Sequence, residues 1–191
     1  MKQNALVIGI VALLIGLGVG YLAWGSASVR LGSHTMGDGT MMAQNIDQHF
    51  IVQMIPHHEG AITMAKIALE RSKRQEVISL ANGIIEAQQK EINDMRSWYQ
   101  SWFGSMPPEG GMGMMLMGGM EGDTAVLASV SAADFDREFL EQMIPHHEMA
   151  IMMAQMLQAS TERAEMKTLA DNIITSQSRE IDMMRSWLQS W

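Results

Sequence analysis

One twelve-residue stretch, Met54-Ile55-Pro56-His57-His58-Glu59-Gly60-Ala61-Ile62-Thr63-Met64-Ala65, returns 89 residues later as Met143-Ile144-Pro145-His146-His147-Glu148-Met149-Ala150-Ile151-Met152-Met153-Ala154. The fold is therefore built from two copies of one unit. Any chemistry the stretch carries is present twice.

The unit is helical by its spacing. From Asp47, a plausible start for the first helix, steps of three and four give Asp47, Phe50, Met54, His57, Ala61, Met64 and Ala68. His57 points into the core on this reading, and His58 lies on its margin. Pro56 removes one backbone hydrogen bond, so a kink is expected just before the histidines. Ser72-x-x-Gln75 has the form of a capping box and opens a second helix with the seam Val77, Ala81, Ile84, Gln88, Glu91, Met95, Trp98 and Trp102. An antiparallel hairpin turning near 72–74 sets His57 opposite Gln88 and Glu91, with Met54 and Met95 close by. A carboxylate buried alone costs several kcal/mol, about 3–5 when a buried partner is missing, so a partner or a metal is required.

The second copy keeps this pattern. Ser131 to Asp134 caps a third helix with the seam Asp136, Phe139, Met143, His146, Ala150, Met153 and Leu157. A fourth, from about Thr161 to Trp191, carries Met166, Ala170, Ile173, Gln177, Glu180, Met184, Trp187 and Trp191. The expected class is all-α: two tandem helical hairpins, repeat one over 45–103 and repeat two over 131–191, joined by a Met/Gly-rich loop over 104–123.

Donor chemistry narrows the function. The chain has 21 methionines and no cysteine, which excludes thiolate zinc sites, iron–sulfur clusters and disulfides. A net charge of −8 argues against a nucleic-acid partner. Met54, His57, His58 and Met64, with Met143, His146, His147 and Met153, are the primary candidate ligands. Met95 and Met184 are secondary. Gln88, Glu91, Gln177 and Glu180 are either ligands or acceptors that fix the imidazoles. Thioether with imidazole suits Cu(I), and Ag(I) as its mimic, while His and carboxylate can also hold Cu(II). Zinc would leave the methionines unexplained. A di-iron carboxylate centre lacks the Glu-x-x-His it requires.

The flanking segments bear on location. Residues 5–24 are an uncharged apolar run that ends with Tyr21 and Trp24, as expected of a membrane anchor. A cleaved signal peptide ending near Gly25-Ser26-Ala27 is the alternative, and residues 1–25 are assigned to one or the other. Both place the remainder outside the cytoplasmic membrane. Residues 26–44 read as a flexible linker carrying His34, Met36, Met41 and Met42. Residues 112–120 hold five methionines in nine positions, a bias that suggests capture of soft ions.

The pattern Asp-x-x-Phe-x-x-x-Met-Ile-Pro-His-His-x-x-Ala-Ile-x-Met-Ala is met by Asp47 to Ala65 and by Asp136 to Ala154. With Gln88, Glu91 and Met95 and their copies Gln177, Glu180 and Met184, it resembles the domain-of-unknown-function 305 family. The resemblance implies a ferritin-like four-helix bundle outside the cytoplasm, in a family with copper-binding members that include a periplasmic copper-tolerance protein. The expectation is a copper-binding envelope protein, not an enzyme, that sequesters copper or hands it to a transfer partner or efflux system. A metal-dependent redox enzyme such as a cuprous oxidase, and a metal-free Met-rich chaperone or sensor, are the rival readings. Two separate centres and one shared centre both fit the repeat.

Overall fold

A computed structural model describes the backbone of residues 39–45 and all of residues 46–108 and 124–191. The linker residues 26–38, the methionines at 112–120 and the apolar run 5–24 lie outside these or are described in backbone only. Among the described residues no helix is long and apolar enough to cross a membrane.

All regular structure among the described residues is helical: α1 Gly39–Arg71, α2 Gln75–Phe103, α3 Thr124–Ser129, α4 Phe135–Ser160 and α5 Ala164–Ser190. The first helix begins at Gly39, so Asp47 is inside it, not at its cap, and the last linker residues are helical. The reason is visible at Asp47 itself. Its carboxylate is buried and takes an ion pair from Arg163 at 3.1 Å, so it is occupied by a distant residue and not by the local amides.

The hairpin turns depart from the expected capping box. Ser72 Oγ accepts the Arg74 amide at 3.1 Å, two residues on, and the N-terminal cap of α2 is Arg74 without a side-chain cap bond. Thr161 Oγ1 accepts the Arg163 amide at 3.2 Å in the same way, and α5 starts at Ala164. Each hydroxyl thus stabilises the tight turn. At the start of α4 Asp134 is the cap residue, but its carboxylate accepts the Ser131 hydroxyl at 2.6 Å and caps no amide. The helix α2 stops at Gly104, whose φ of 72° is the left-handed conformation that glycine adopts without strain, and its amide bonds to Gln100 O.

The antiparallel hairpins α1–α2 and α4–α5 join mainly through α1 against α4. Side chains from all four long helices share a core. Phe50, Met54 and Ile62 of α1 gather with Ile92 and Met95 of α2, Met153 and Leu157 of α4, and Met166 and Ile173 of α5. Helices α1 and α4 run unbroken through Pro56 and Pro145, which lack the N–H that would bond to the carbonyls of Val52 and Glu141. The short α3 buries Leu127 at the end of the bundle, where the guanidinium of Arg71 donates to the Leu127 carbonyl.

Electrostatics repeats with the sequence. Arg163 bonds Asp47 and lies 4.0 Å over the Trp102 ring, while Arg74 bonds Asp136 at 3.4 Å and lies 4.0 Å over Trp191. Each arginine at a hairpin turn therefore grips the other repeat's first helix. Within the hairpins, Arg96 pairs with Glu59 at 2.7 Å and Arg185 pairs with Glu148.

Candidate metal centre

Adjacent residues on a helix point about 100° apart, and a bundle helix has two neighbours to face. His57 and His58 use both directions. The His57 ring stands against His146 of the other repeat, with centroids 3.8 Å apart. His58 turns the other way, into its own hairpin, where Nε2 lies 2.7 Å from Glu91 Oε2. The second copy does the same: His147 Nε2 lies 2.6 Å from Glu180 Oε2.

Two sequence expectations are corrected by this. His58 is not marginal but fully buried, and so is His147. Glu91 serves His58, not His57. A single seam underestimates the buried arc of α1, because the helix packs on α2 and α4 at once.

The four histidines make one layer across the middle of the bundle. Neighbouring rings within each pair are 6.3 and 6.4 Å apart by centroid. Both ring nitrogens of His57 and of His146 lack a hydrogen-bond partner, as do Nδ1 of His58 and of His147. Buried polar atoms are nearly always paired, so this many orphaned nitrogens in one layer calls for an explanation. Burial, followed by the neighbouring His58 and His147, lowers the pKa of His57 to about 3. Burial, followed by the neighbouring histidines, lowers that of His146 to about 2. Both rings are neutral at pH 7, with lone pairs free to bind a cation.

The thioethers are divided by the two-fold pattern. Met54 and Met95 lie in one core cluster with Met153 of the other repeat. Met143 and Met184 lie in the other with Met64. All six are buried. Every predicted methionine ligand thus belongs to a cluster drawn from both repeats, which no hairpin forms alone. Gln88 and Gln177 are also buried, with Oε1 of each unpaired. Among the described residues no three His, Asp or Glu side chains gather into a group able to hold a metal. The donors left beside the imidazoles are thioethers and the Gln88 and Gln177 amides, and of these the thioethers favour a soft ion.

Glu91 and Glu180 orient the rings that they hold. Glu91→Ala leaves His58 Nε2 buried without its acceptor, which is expected to cost about 1–3 kcal/mol in urea unfolding. Glu180→Ala should cost a similar amount through His147. A change of a few tenths in both would show that these bonds do not hold the layer.

The sequence profile of the domain of unknown function 305 (DUF305) matches residues 47–188. The chain belongs to the DUF305 family. Among solved structures it is similar to CopM in its Cu(II)-bound form, with 47% identity, a TM-score of 0.69, and coverage of 76% of this chain and 97% of that one. CopM in its Cu(I)-bound form matches with 47% identity and a TM-score of 0.67, over 76% of this chain and 96% of that one. A DUF305 fragment from Deinococcus radiodurans is 29% identical, with a TM-score of 0.68, over 76% of this chain and 97% of that one. An uncharacterized protein, L153, of Acanthamoeba polyphaga mimivirus is 47% identical over 51 residues, 27% of this chain. That match spans about a third of the viral protein, 34% of its length.

Three features of the fold were not foreseen from the sequence. These are the contact of His57 with His146, the arginine grips of Arg74 and Arg163, and the hairpin ties of Glu59 and Glu148. Arg74 and Arg163, Glu59 and Glu148, and Arg96 and Arg185 all recur at the offset of 89, so the repeat carried the signal for the charged residues.

Proposed function

We propose that this DUF305 protein binds copper in the cell envelope, holding Cu(I) in preference to Cu(II) and sequestering it or handing it on. The observation that carries this reading is the layer of four buried histidines with six unpartnered ring nitrogens. Neutral imidazole and thioether together match the soft monovalent ion, and Ag(I) should substitute for it. The likeness to CopM, solved with Cu(I), Cu(II) and silver, supports the same choice of metal. An ion would be held by at most two imidazoles at a time, His57 with His146 first and His58 or His147 next, with Met54, Met64, Met143 and Met153 as the candidate soft donors. Glu91 and Glu180 would act by holding the rings.

Burial supports a carrier or store over an enzyme. The four histidines are at most 6% exposed, which leaves little room for a second reactant beside the ion. A location outside the cytoplasmic membrane, through residues 5–24 as anchor or signal, and delivery to a transfer partner or efflux system complete the proposal.

The test is an anaerobic titration of the protein with Cu(I) against a competing chelator, repeated with His57→Ala/His146→Ala. Affinity should fall by at least about tenfold, or about 1.4 kcal/mol, in the double variant. Unchanged affinity would rule out the histidine layer as the site. If the unaltered protein takes up no Cu(I), the Met-rich chaperone reading takes the place of this one.

A further inference from the structure

Two surface grooves lie between α2 and α5, and they are related by the repeat. One, about 550 Å³, is lined by Gln75, Ser79 and Gly83 of α2 and by Glu180, Met183 and Trp187 of α5. The other, about 570 Å³, is lined by Ala164, Thr168 and Asn172 of α5 and by Glu91, Asp94 and Trp98 of α2. Each groove has at its wall the glutamate that binds a buried histidine. Glu180 and Glu91 retain 17% and 14% of their side-chain surface, while the rings they hold retain none. Behind each carboxylate, the histidine's Nδ1 is buried and unpartnered.

We infer that these grooves are the two portals through which a monovalent soft cation reaches and leaves the histidine layer, with Glu180 and Glu91 as the relay groups. This rests on the copper-binding reading above. A carboxylate that touches solvent on one side and imidazole on the other gives an arriving cation a charged landing point. It then exchanges its hydrogen bond to the ring for contact with the ion, which frees the imidazole beside it. No bond to carbon changes and no electron moves. The ion carries its single positive charge inward, and each ring nitrogen supplies a lone pair.

One difference between the two portals bears directly on a soft cation. Met183, 38% exposed, stands in the Glu180 groove where Asp94 stands in the other. Asp94 is in turn tied to Lys90 at 2.6 Å, which neutralises its charge. A thioether next to the relay carboxylate favours a soft ion, whereas a carboxylate already paired with an ammonium group offers it little. The Glu180 groove is accordingly the faster route.

Plugging the grooves tests this without touching a ligand. A side chain added at Gly83 meets open space, and Asn172 is exposed, so Gly83→Phe and Asn172→Phe fill the grooves without disturbing the core. Uptake of Ag(I), and anaerobically of Cu(I), is followed by stopped-flow competition with a chromogenic chelator on the full chain. Gly83→Phe should slow uptake by about tenfold and Asn172→Phe by less, with the equilibrium affinity unchanged for both. Met183→Leu, which removes the thioether and keeps the size, should slow Ag(I) uptake. If the double-plugged variant takes up metal at the unaltered rate, the portals are refuted while copper binding stands. If the unaltered protein takes up no metal, both readings fall together.

Discussion

Acidifying the metal-free protein from pH 7 to pH 5 is expected to remove about 4 kcal/mol of stability through His57 and His146 alone. The sign follows from burial. Both rings titrate near 6.5 when unfolded, but in the fold the pKa is lowered to about 3 for His57 and about 2 for His146. The unfolded chain therefore binds two more protons than the folded one between these values. The stability they contribute is complete above pH 6.5, declines as the pH falls below it, and stops declining once the folded rings themselves protonate. The slope in that window is about 2.7 kcal/mol per pH unit for the pair. Asp47 acts in the opposite sense, because burial raises its carboxyl above 3.8 and protonation relieves a cost. Urea unfolding at a series of pH values, compared with His57→Ala/His146→Ala, isolates the histidine share. Parallel pH profiles for the two proteins would show that the rings are not held neutral by the fold. Bound copper should raise the whole profile without changing its slope between pH 5 and 7, because the folded rings are already unprotonated there, and should extend the decline to lower pH, since a ligated lone pair cannot take a proton.

The second large effect is expected from Arg163→Ala, about 3 kcal/mol in urea unfolding. Asp47 is completely buried, and Arg163 is its charged partner at 3.1 Å. Removing the guanidinium leaves a carboxylate in the core without its counter-charge and strips the cation from the face of Trp102. The equivalent change in the first repeat, Arg74→Ala, is expected to cost only about 1 kcal/mol. There the side chains are 46% and 19% exposed, and water takes over what the arginine gave up. Equal losses from the two substitutions would mean that the burial of Asp47 does not decide the outcome. The inequality matters because the sequence repeat alone treats the two arginines as the same residue. Only their surroundings separate them.

These predictions differ in how far each could be read from the chain. Helix class, the two hairpins and most buried positions were legible, because the three-and-four spacing of Phe50, Met54, His57, Ala61 and Met64 leaves one apolar face that must be covered. Donor softness needs no tertiary information, since it belongs to the residue and not to its place. The partners of His57 and His58 were not. Periodicity ranks positions by distance from a seam, and the two rings lie side by side on it, so sequence could not say which would face Glu91. The turns were misread for a related reason. Ser72 with Gln75 has the spacing of a capping box, yet the hydroxyl serves the Arg74 amide, and Arg74 is aimed at Asp136 in the other repeat.

The sequence by itself determined that this chain builds one helical unit twice, with His, Met and Glu at matching places, because local spacing and side-chain chemistry survive without knowledge of neighbours. The tertiary structure decided that the two motifs meet. Packing α1 against α4 brings His57 onto His146, turns His58 and His147 back onto their own glutamates, and sorts the methionines into two mixed clusters. The physical reason is that each helix of the inner pair has two buried faces, and which residue looks at which neighbour is fixed only when the hairpins dock. One shared layer of histidines is the consequence.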